Sequence, residues 1–114
     1  MYINNGKGKF TNETERRIPK DEDHTIDAIF EDVNKDGSKD IVLANVFGAQ
    51  IKIYLNNGKG EFMENATAIL GKKHVRDALG VIAADLNGDG KKDFYFCDRF
   101  NPNLGKKDLL LLEN

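Results

Sequence analysis

Short apolar stretches separated by clusters of Asn, Asp and Gly dominate the 114-residue chain. Residues 25–32 alternate between apolar and polar, which places Ile26, Ala28 and Phe30 on one face of a predicted strand. Residues 41–45, which follow Asp40, are apolar on both faces and predict a second, central strand. The pattern therefore predicts two neighbouring strands joined by a polar loop.

Two further strands are predicted after this pair. Residues 50–56 alternate again. The side chains expected to point inward are Ile51, Ile53 and Leu55, and those expected to point outward are Lys52 and Tyr54. The Asn-Gly pair at residues 57–58 predicts a hairpin turn, because both residue types tolerate a positive φ. A fourth, outer strand is expected from residue 61 or 62 to about residue 67.

An internal repeat organises these elements. The segment Y-I-N-N-G-K-G-K-F at residues 2–10 recurs as Y-L-N-N-G-K-G-E-F at residues 54–62, and its start returns as L-L-E-N at residues 111–114. The loop at residues 32–40 recurs at residues 85–93, a period of about 53 residues. Four short strands per unit at this period are typical of a β-propeller. The sequence therefore predicts an all-β chain with about two propeller blades of four antiparallel strands.

The repeat divides the chain into three predicted parts. Residues 1–20 form the end of a preceding blade, a hairpin and outer strand. Residues 21–70 form a complete blade with the first polar loop, and residues 71–114 form a second blade that lacks its outer strand. Propellers close with about four to eight blades, so we expect either a larger propeller or a head-to-tail homo-oligomer. In the oligomer, one chain's N-terminal strand completes the last blade of the next chain.

Both polar loops read D-x-N-x-D-G-x-x-D, with side-chain oxygens at positions 1, 3, 5 and 9. The residues at these positions are Asp32, Asn34, Asp36 and Asp40 in the first loop, and Asp85, Asn87, Asp89 and Asp93 in the second. Alternate oxygen ligands followed by Gly suit Ca²⁺, and a carbonyl at position 7 can complete the shell. Mg²⁺ fits less well because it keeps several waters. The alternative reading is an ordinary acidic turn.

These loops and the N-N-G-K-G segments resemble FG-GAP or VCBS-type repeats, the blades of integrin-α-like propellers and of many bacterial surface and secreted proteins. The resemblance implies two calcium ions, each held between the first and second strands of a blade. The implied ligands are Asp32, Asn34, Asp36, Asp40 and the Ser38 carbonyl, and Asp85, Asn87, Asp89, Asp93 and the Lys91 carbonyl. Of the phenylalanine-glycine and glycine-alanine-proline signatures that name the family, this chain has only Phe47-Gly48-Ala49.

The resemblance further implies a calcium-stabilised binding or adhesion module whose partner is a protein or glycan. The alternatives are an accessory domain of a secreted, polysaccharide-active enzyme and a calcium sensor. Residues 99–103, R-F-N-P-N, offer groups for partner contact, although an ordinary connection is the simpler interpretation. We expect no enzyme activity, since no catalytic motif is present, and we expect His24 and His74 to be surface or loop histidines.

Composition narrows the remaining possibilities. The net charge of −2 without a block of like charge argues against nucleic-acid binding. No apolar run reaches the roughly 18 residues of a membrane span. The single Cys97 excludes an internal disulfide, and its apolar neighbours predict a buried thiol. The N-terminal residues do not read as a signal peptide, so either the protein is cytoplasmic or a leader and more sequence have been removed. The resemblance implies an extracellular, cell-surface or periplasmic protein, and we therefore expect a fragment of a longer sequence.

Overall fold

The computed structural model describes residues 1–99, 101–103, 105 and 107–112, and within them the chain forms three antiparallel sheets and two short helices. The elements are β1 (Tyr2–Asn4), β2 (Phe10–Asn12), α1 (Thr14–Arg17), β3 (His24–Glu31), β4 (Asp40–Val46), β5 (Lys52–Asn56), β6 (Phe62–Glu64), α2 (Ala66–Leu70), β7 (Ala78–Ala84), β8 (Asp93–Asp98) and β9 (Leu109–Leu111). The all-β prediction is confirmed. Part of the predicted third segment copy, Glu113 and Asn114, lies outside the described residues.

The sheets follow the order of the chain. The two-stranded sheet is β1-β2, the four-stranded sheet is β3-β4-β5-β6, and the three-stranded sheet is β7-β8-β9. The four-stranded sheet has the strands expected of one repeat unit, but its fourth strand ends at Glu64 and does not reach Thr67. The N–H of Ala66 donates to Glu64 Oε1 (2.8 Å), and α2 begins there. The helix ends at Gly71, whose φ of 73° only glycine adopts readily.

The three-stranded sheet repeats the first three strands of the four-stranded sheet. The first strand of each of these sheets carries a β-bulge at the same place, between Thr25 and Asp27 in β3 and between Ala78 and Gly80 in β7. The bulge interrupts strict alternation, so Ile26 is the extra residue in β3. The strict alternation that was expected to place Ile26 on one face with Ala28 and Phe30 therefore does not extend to Ile26.

The main core lies between the four-stranded and three-stranded sheets. Its buried residues include Val42, Ala44 and Ile53 from the first, and Val81, Phe94 and Phe96 from the second. All seven residues of β4 are buried, which confirms that this strand is central. Leu70 of α2 packs against the same core. Burial of aliphatic and aromatic side chains at this junction is the main force that holds the two sheets together.

A second, smaller core lies on the face of the four-stranded sheet that points away from the three-stranded sheet. Ile41, Leu43 and Tyr54 are buried there against Ile18 and Phe62. Tyr54 lies on the face opposite to Ile53, as the alternation predicts, but it is buried there because the connection after α1 crosses this face. The Tyr54 hydroxyl donates to the Asp21 carboxylate, and burial together with this contact raises the pKa of Tyr54.

The expectation of a buried Cys97 is wrong, and the expectation for His74 holds in part. Cys97 is exposed, since it points away from the core between the buried Phe96 and the half-buried Asp98 of β8. His74 lies in a loop as expected, but it is buried, and its carbonyl accepts the N–H of Ile51 (2.9 Å). Within the described residues, neither helix has the length or apolar character needed to cross a membrane.

Candidate metal centre

The first polar loop connects β3 to β4, and its hydrogen bonds bring three of the predicted ligands together. The N–H of Asp36 donates to Asp32 Oδ1 and Asn34 Oδ1, each at 3.1 Å. The Asn34 side-chain amide donates to Asp36 Oδ2 (2.8 Å), and the N–H of Gly37 donates to Asp32 Oδ2 (2.9 Å). The loop is thus wound around the side-chain oxygens at positions 1, 3 and 5.

Asp40, the predicted ligand at position 9, has a different environment. It is fully buried at the start of β4. One carboxylate oxygen accepts the N–H of Val33 (2.9 Å) and the other accepts the N–H of Asn56 (2.8 Å). Asp40 therefore ties the base of the loop to the neighbouring strand β5, which is a structural contribution that the sequence motif did not reveal.

The second loop, between β7 and β8, repeats this arrangement. The N–H of Asp89 donates to Asp85 Oδ1 (3.2 Å) and Asn87 Oδ1 (3.1 Å). Asp93 is fully buried and accepts the N–H of Leu86 (2.8 Å), as Asp40 does from Val33. At position 7, the N–H of Ser38 donates to Asp36 (2.8 Å), and that of Lys91 donates to Asp89 (2.9 Å).

Backbone conformation distinguishes the two loops at one position. Gly37 and Gly90, at loop position 6, have φ values of 90° and 84°, as the motif requires. At position 4, however, the second loop has Gly88 with φ 81°, whereas the first has Lys35 with φ 60°. A lysine in this left-handed region is strained relative to glycine. The first loop thus carries local strain that the second avoids.

The donor chemistry of both loops fits a hard cation. Each offers carboxylate and amide oxygens without nitrogen or sulfur ligands, which is the set that Ca²⁺ prefers. Among the described residues, no three acidic, histidine or cysteine side chains are grouped closely enough to form a ready metal cage. The acidic side chains are instead turned towards backbone N–H groups, but each carboxylate has about four lone-pair positions and retains accepting capacity.

Hydrogen bonds favour the charged form of the position 5 carboxylates. The Ser38 N–H and the Asn34 amide hold the pKa of Asp36 below its usual range. The Lys91 N–H and the Asn87 amide do the same for Asp89. Both groups are therefore ionised at neutral pH, which is the state a cation ligand requires.

A cleft between the two loops was not foreseen from the sequence. It is a cavity of 220 Å³ with Asp32 at the base of the first loop on one side and Lys92 of the second on the other. Ile69, Leu70 and Phe94 supply apolar walls. Its residues come from positions far apart in the chain, so only the packing of the two sheets could reveal it.

The described residues of the predicted partner loop at residues 99–103 lie near the ends of β4 and β8. They contact other residues of the same chain. Arg99 forms an ion pair with the buried Asp77 (3.2 Å), and the Asn101 amide donates to the same carboxylate (2.6 Å). Phe100 lies outside the described residues. Phe47 is exposed nearby; its ring contacts His24 edge-on at 4.9 Å between ring centroids, and its centroid lies 5.8 Å from the Arg99 guanidinium carbon.

Comparison with known families gives one match. The model of a family described as FG-GAP-like repeat matches residues 32–96, more than half of the chain. The matched segment begins at the first residue of the first polar loop and ends in β8, so it contains both loops. Comparison with curated proteins and with solved structures finds no match.

Proposed function

Because the chain belongs to the FG-GAP-like repeat family, we propose that it is a β-propeller-type repeat module that binds one calcium ion in each polar loop. The observation that carries this proposal is the repeated loop geometry. Equivalent oxygens at positions 1, 3 and 5 accept equivalent backbone N–H groups in both loops, at distances that agree within about 0.1 Å. Ordinary acidic turns would not require the same arrangement of ligand oxygens in both loops.

The proposed role of the ion is structural. Asp32 and Asp36 place two negative charges in one short loop, and like charges at close range repel. A bound cation removes this repulsion and joins the end of β3 to the start of β4, so that metal binding free energy contributes to folding free energy. Asp32, Asn34, Asp36, Asp40 and the Ser38 carbonyl would hold the first ion, and Asp85, Asn87, Asp89, Asp93 and the Lys91 carbonyl the second.

We further propose that the module is non-catalytic, extracellular and binds a protein or glycan partner. Support comes from the end of the sheets opposite the metal loops, where Phe47 is 68% exposed. Its φ of 61° is unusual for a bulky residue and fixes the ring beside Arg99. Exposed aromatic and arginine side chains are enriched at binding interfaces.

Calorimetric titration of the chelator-treated protein with CaCl₂ tests the metal proposal. Two sites per chain are expected for the natural sequence, one for Asp36→Asn or Asp89→Asn, and none for the double variant. Asparagine keeps the size of the side chain and removes the charge. Thermal unfolding should report each occupied site as stabilisation of about 2.7 kcal/mol when free calcium is 100 times Kd.

The matched control is Glu15→Gln, which removes the same charge from an exposed position in α1. This variant should keep both calcium sites. Absence of binding heat in the natural protein would overturn the proposal, as would equal calcium binding by the Asp36→Asn and Asp89→Asn double variant. A large change in the circular dichroism of an already folded protein on calcium addition would favour a sensor over a structural site.

A further inference from the structure

Within the described part of the chain, a copy of each half of the main interface is exposed at the surface. Inside the chain, Ile29, Val42 and Ala44 of the four-stranded sheet face the three-stranded sheet. The residues at equivalent repeat positions in the three-stranded sheet are Ile82, Tyr95 and Cys97, which lie on its outer face. Ile82 is 54% exposed and Cys97 is exposed. We refer to this surface, with Leu110 of β9, as the tail face.

The other half of the interface has a counterpart at the opposite side of the chain. Val81, Ala83, Phe94 and Phe96 supply the three-stranded half of the core. Their repeat equivalents are Ala28, Phe30, Ile41 and Leu43, which share one face of the four-stranded sheet by strand register. Ile41 and Leu43 are covered by Ile18, but Phe30 is 61% exposed. We refer to the exposed strip of Ala28 and Phe30 as the head face.

From this correspondence we infer that a second copy of the chain docks head to tail, with the tail face of one copy on the head face of the other. The chain already buries this combination of surfaces once, between its own two sheets. The strand registers that place Val42 beside Ile53 and Tyr95 beside Leu110 are the same, so the tail face presents apolar groups at the required positions. Both exposed faces are apolar and suit the same kind of contact.

The bulge in β3 is compatible with this docking. Within the chain, Asp27 Oδ2 crosses to accept the N–H of Val81 at the equivalent bulge (3.1 Å). The tail face has Gly80 at the position of Asp27 and offers no carboxylate. The N–H of Ala28, which corresponds to Val81, already donates to Asp27 Oδ1 (2.9 Å). The N–H of Ala28 therefore keeps its hydrogen-bond partner when docking buries it.

One strand must move when the copies dock. β1 and β9 both correspond to β5, so β1 of one copy and β9 of the other would occupy the same place. β9 packs Leu109 and Leu111 against the main core, whereas Tyr2 of β1 is 66% exposed. β1 is therefore the strand that gives way. Its displacement weakens association, and we expect a Kd on the order of micromolar.

Light scattering of the full chain, in reducing buffer with calcium, from roughly 1 to 100 µM tests this inference. The mass should rise with concentration above the 12.8 kDa of one chain. Phe30→Glu on the head face and Ile82→Glu on the tail face should each raise the apparent Kd at least about tenfold, so that the mass rises only at correspondingly higher concentration. Both substitutions are at exposed positions, and circular dichroism verifies that the variants fold.

Mixing these two variants gives the decisive result. Phe30→Glu keeps a good tail face and Ile82→Glu keeps a good head face, so the mixture should form one-to-one dimers and nothing larger. The matched control Met63→Glu, at a position 71% exposed on β6, should associate like the natural protein. Thiol labelling of Cys97 should slow as the concentration of the natural protein rises, but not in Ile82→Glu.

Three outcomes would overturn the inference. A natural protein that stays monomeric across this range excludes it. Disruption by only one of the two variants, without recovery on mixing, indicates pairing of like faces instead. A larger species that appears only without reductant is a Cys97 disulfide and not a docked pair. None of these results bears on calcium binding, which the calorimetric titration tests separately.

Discussion

At the scale of single residues, the two polar loops show how a motif differs from the geometry that it adopts. Asp32, Asn34 and Asp36 were expected together and are linked through backbone N–H groups. Asp40 belongs to the same motif, but both of its oxygens accept N–H groups from Val33 and Asn56. The bond to Asn56 depends on how β4 and β5 pair, which residue spacing within the loop cannot express.

Lys35→Gly should stabilise the protein. Lys35 has a φ of 60° at the position where the second loop has Gly88, and a non-glycine residue there costs about 1 kcal/mol. Urea denaturation of the calcium-free protein should therefore give a free energy of unfolding higher by about 0.5–1 kcal/mol. The control Lys35→Ala removes the same charge but keeps the Cβ atom. Equal stabilisation by alanine would assign the effect to charge and contradict backbone strain.

Asp77→Asn should weaken the rise of stability with pH in the acid range. Hydrogen bonds from Asn101 and Gly48, and the Arg99 guanidinium, hold the pKa of Asp77 below its usual value in the folded state. Its stabilisation is therefore complete above the unfolded pKa of about 3.9 and is lost as pH falls towards the lower folded pKa. Urea denaturation of the metal-free protein between about pH 3 and 7 measures this slope.

Asp98→Asn provides the comparison of opposite sign. Burial raises the pKa of Asp98 despite its ion pair with Arg76. The folded state therefore holds this proton more tightly than the unfolded state, and stability from it is lost as pH rises through the folded pKa. Asp98→Asn should make the increase of stability with pH steeper, whereas Asp77→Asn should make it shallower. The same change of slope in both variants would contradict these assignments.

At the scale of elements, the sequence was most informative for strands whose apolar side chains are buried in the core. β4 is apolar on both faces and is buried throughout, and Ile51 and Ile53 of the third strand point inward as expected. Tyr54 and Cys97 could not be placed in the same way. Tyr54 is covered by the connection that contains Ile18 and Asp21, and Cys97 alternates with the buried phenylalanines of β8. Both outcomes depend on contacts between distant segments.

The short helices were also missed. α1 and α2 occupy equivalent places after the N-N-G-K-G hairpins, but each has fewer than six residues and no side-chain hydrogen bond from its N-cap residue. Such brief helices lack a sustained period of 3.6 residues, so the apolar pattern gave no signal for them. The role of each helix is to bring an aliphatic side chain against a sheet face. These side chains are Ile18, directly after α1, and Leu70, at the end of α2.

Ile53→Ala should destabilise the protein by about 2–4 kcal/mol, because truncation of a buried isoleucine leaves a cavity in the core. Ile53 is fully buried in β5, between the two sheets. Met63→Ala, at an exposed position on the adjacent strand β6, is the control and should change stability by less than about 0.5 kcal/mol. Urea denaturation compares the two, and equal losses would show that Ile53 is not part of a tightly packed core.

At the scale of the whole molecule, the repeat was predictable because its marks are local. The duplicated loop and the N-N-G-K-G hairpin each fit within ten residues, so their spacing can be read directly. Side-chain contacts inside each unit are less visible, since Asp23 and Asn45 in the first unit are replaced by Arg76 and Asp98 in the second. An amide-to-carboxylate hydrogen bond in one unit is thus replaced by an ion pair in the other, while the position of the contact is kept.

The bond between Asp27 and the N–H of Val81 makes that amide a reporter of motion between the sheets. Val81 lies within β7, and its N–H donates to a side chain of the other sheet. Its exchange with deuterium in solvent therefore follows separation of the two sheets, whereas amides bonded between strands follow fraying within a sheet. Exchange of the Val81 amide proton thus distinguishes separation of the sheets from fraying within a sheet. A thermal unfolding curve does not separate these two motions.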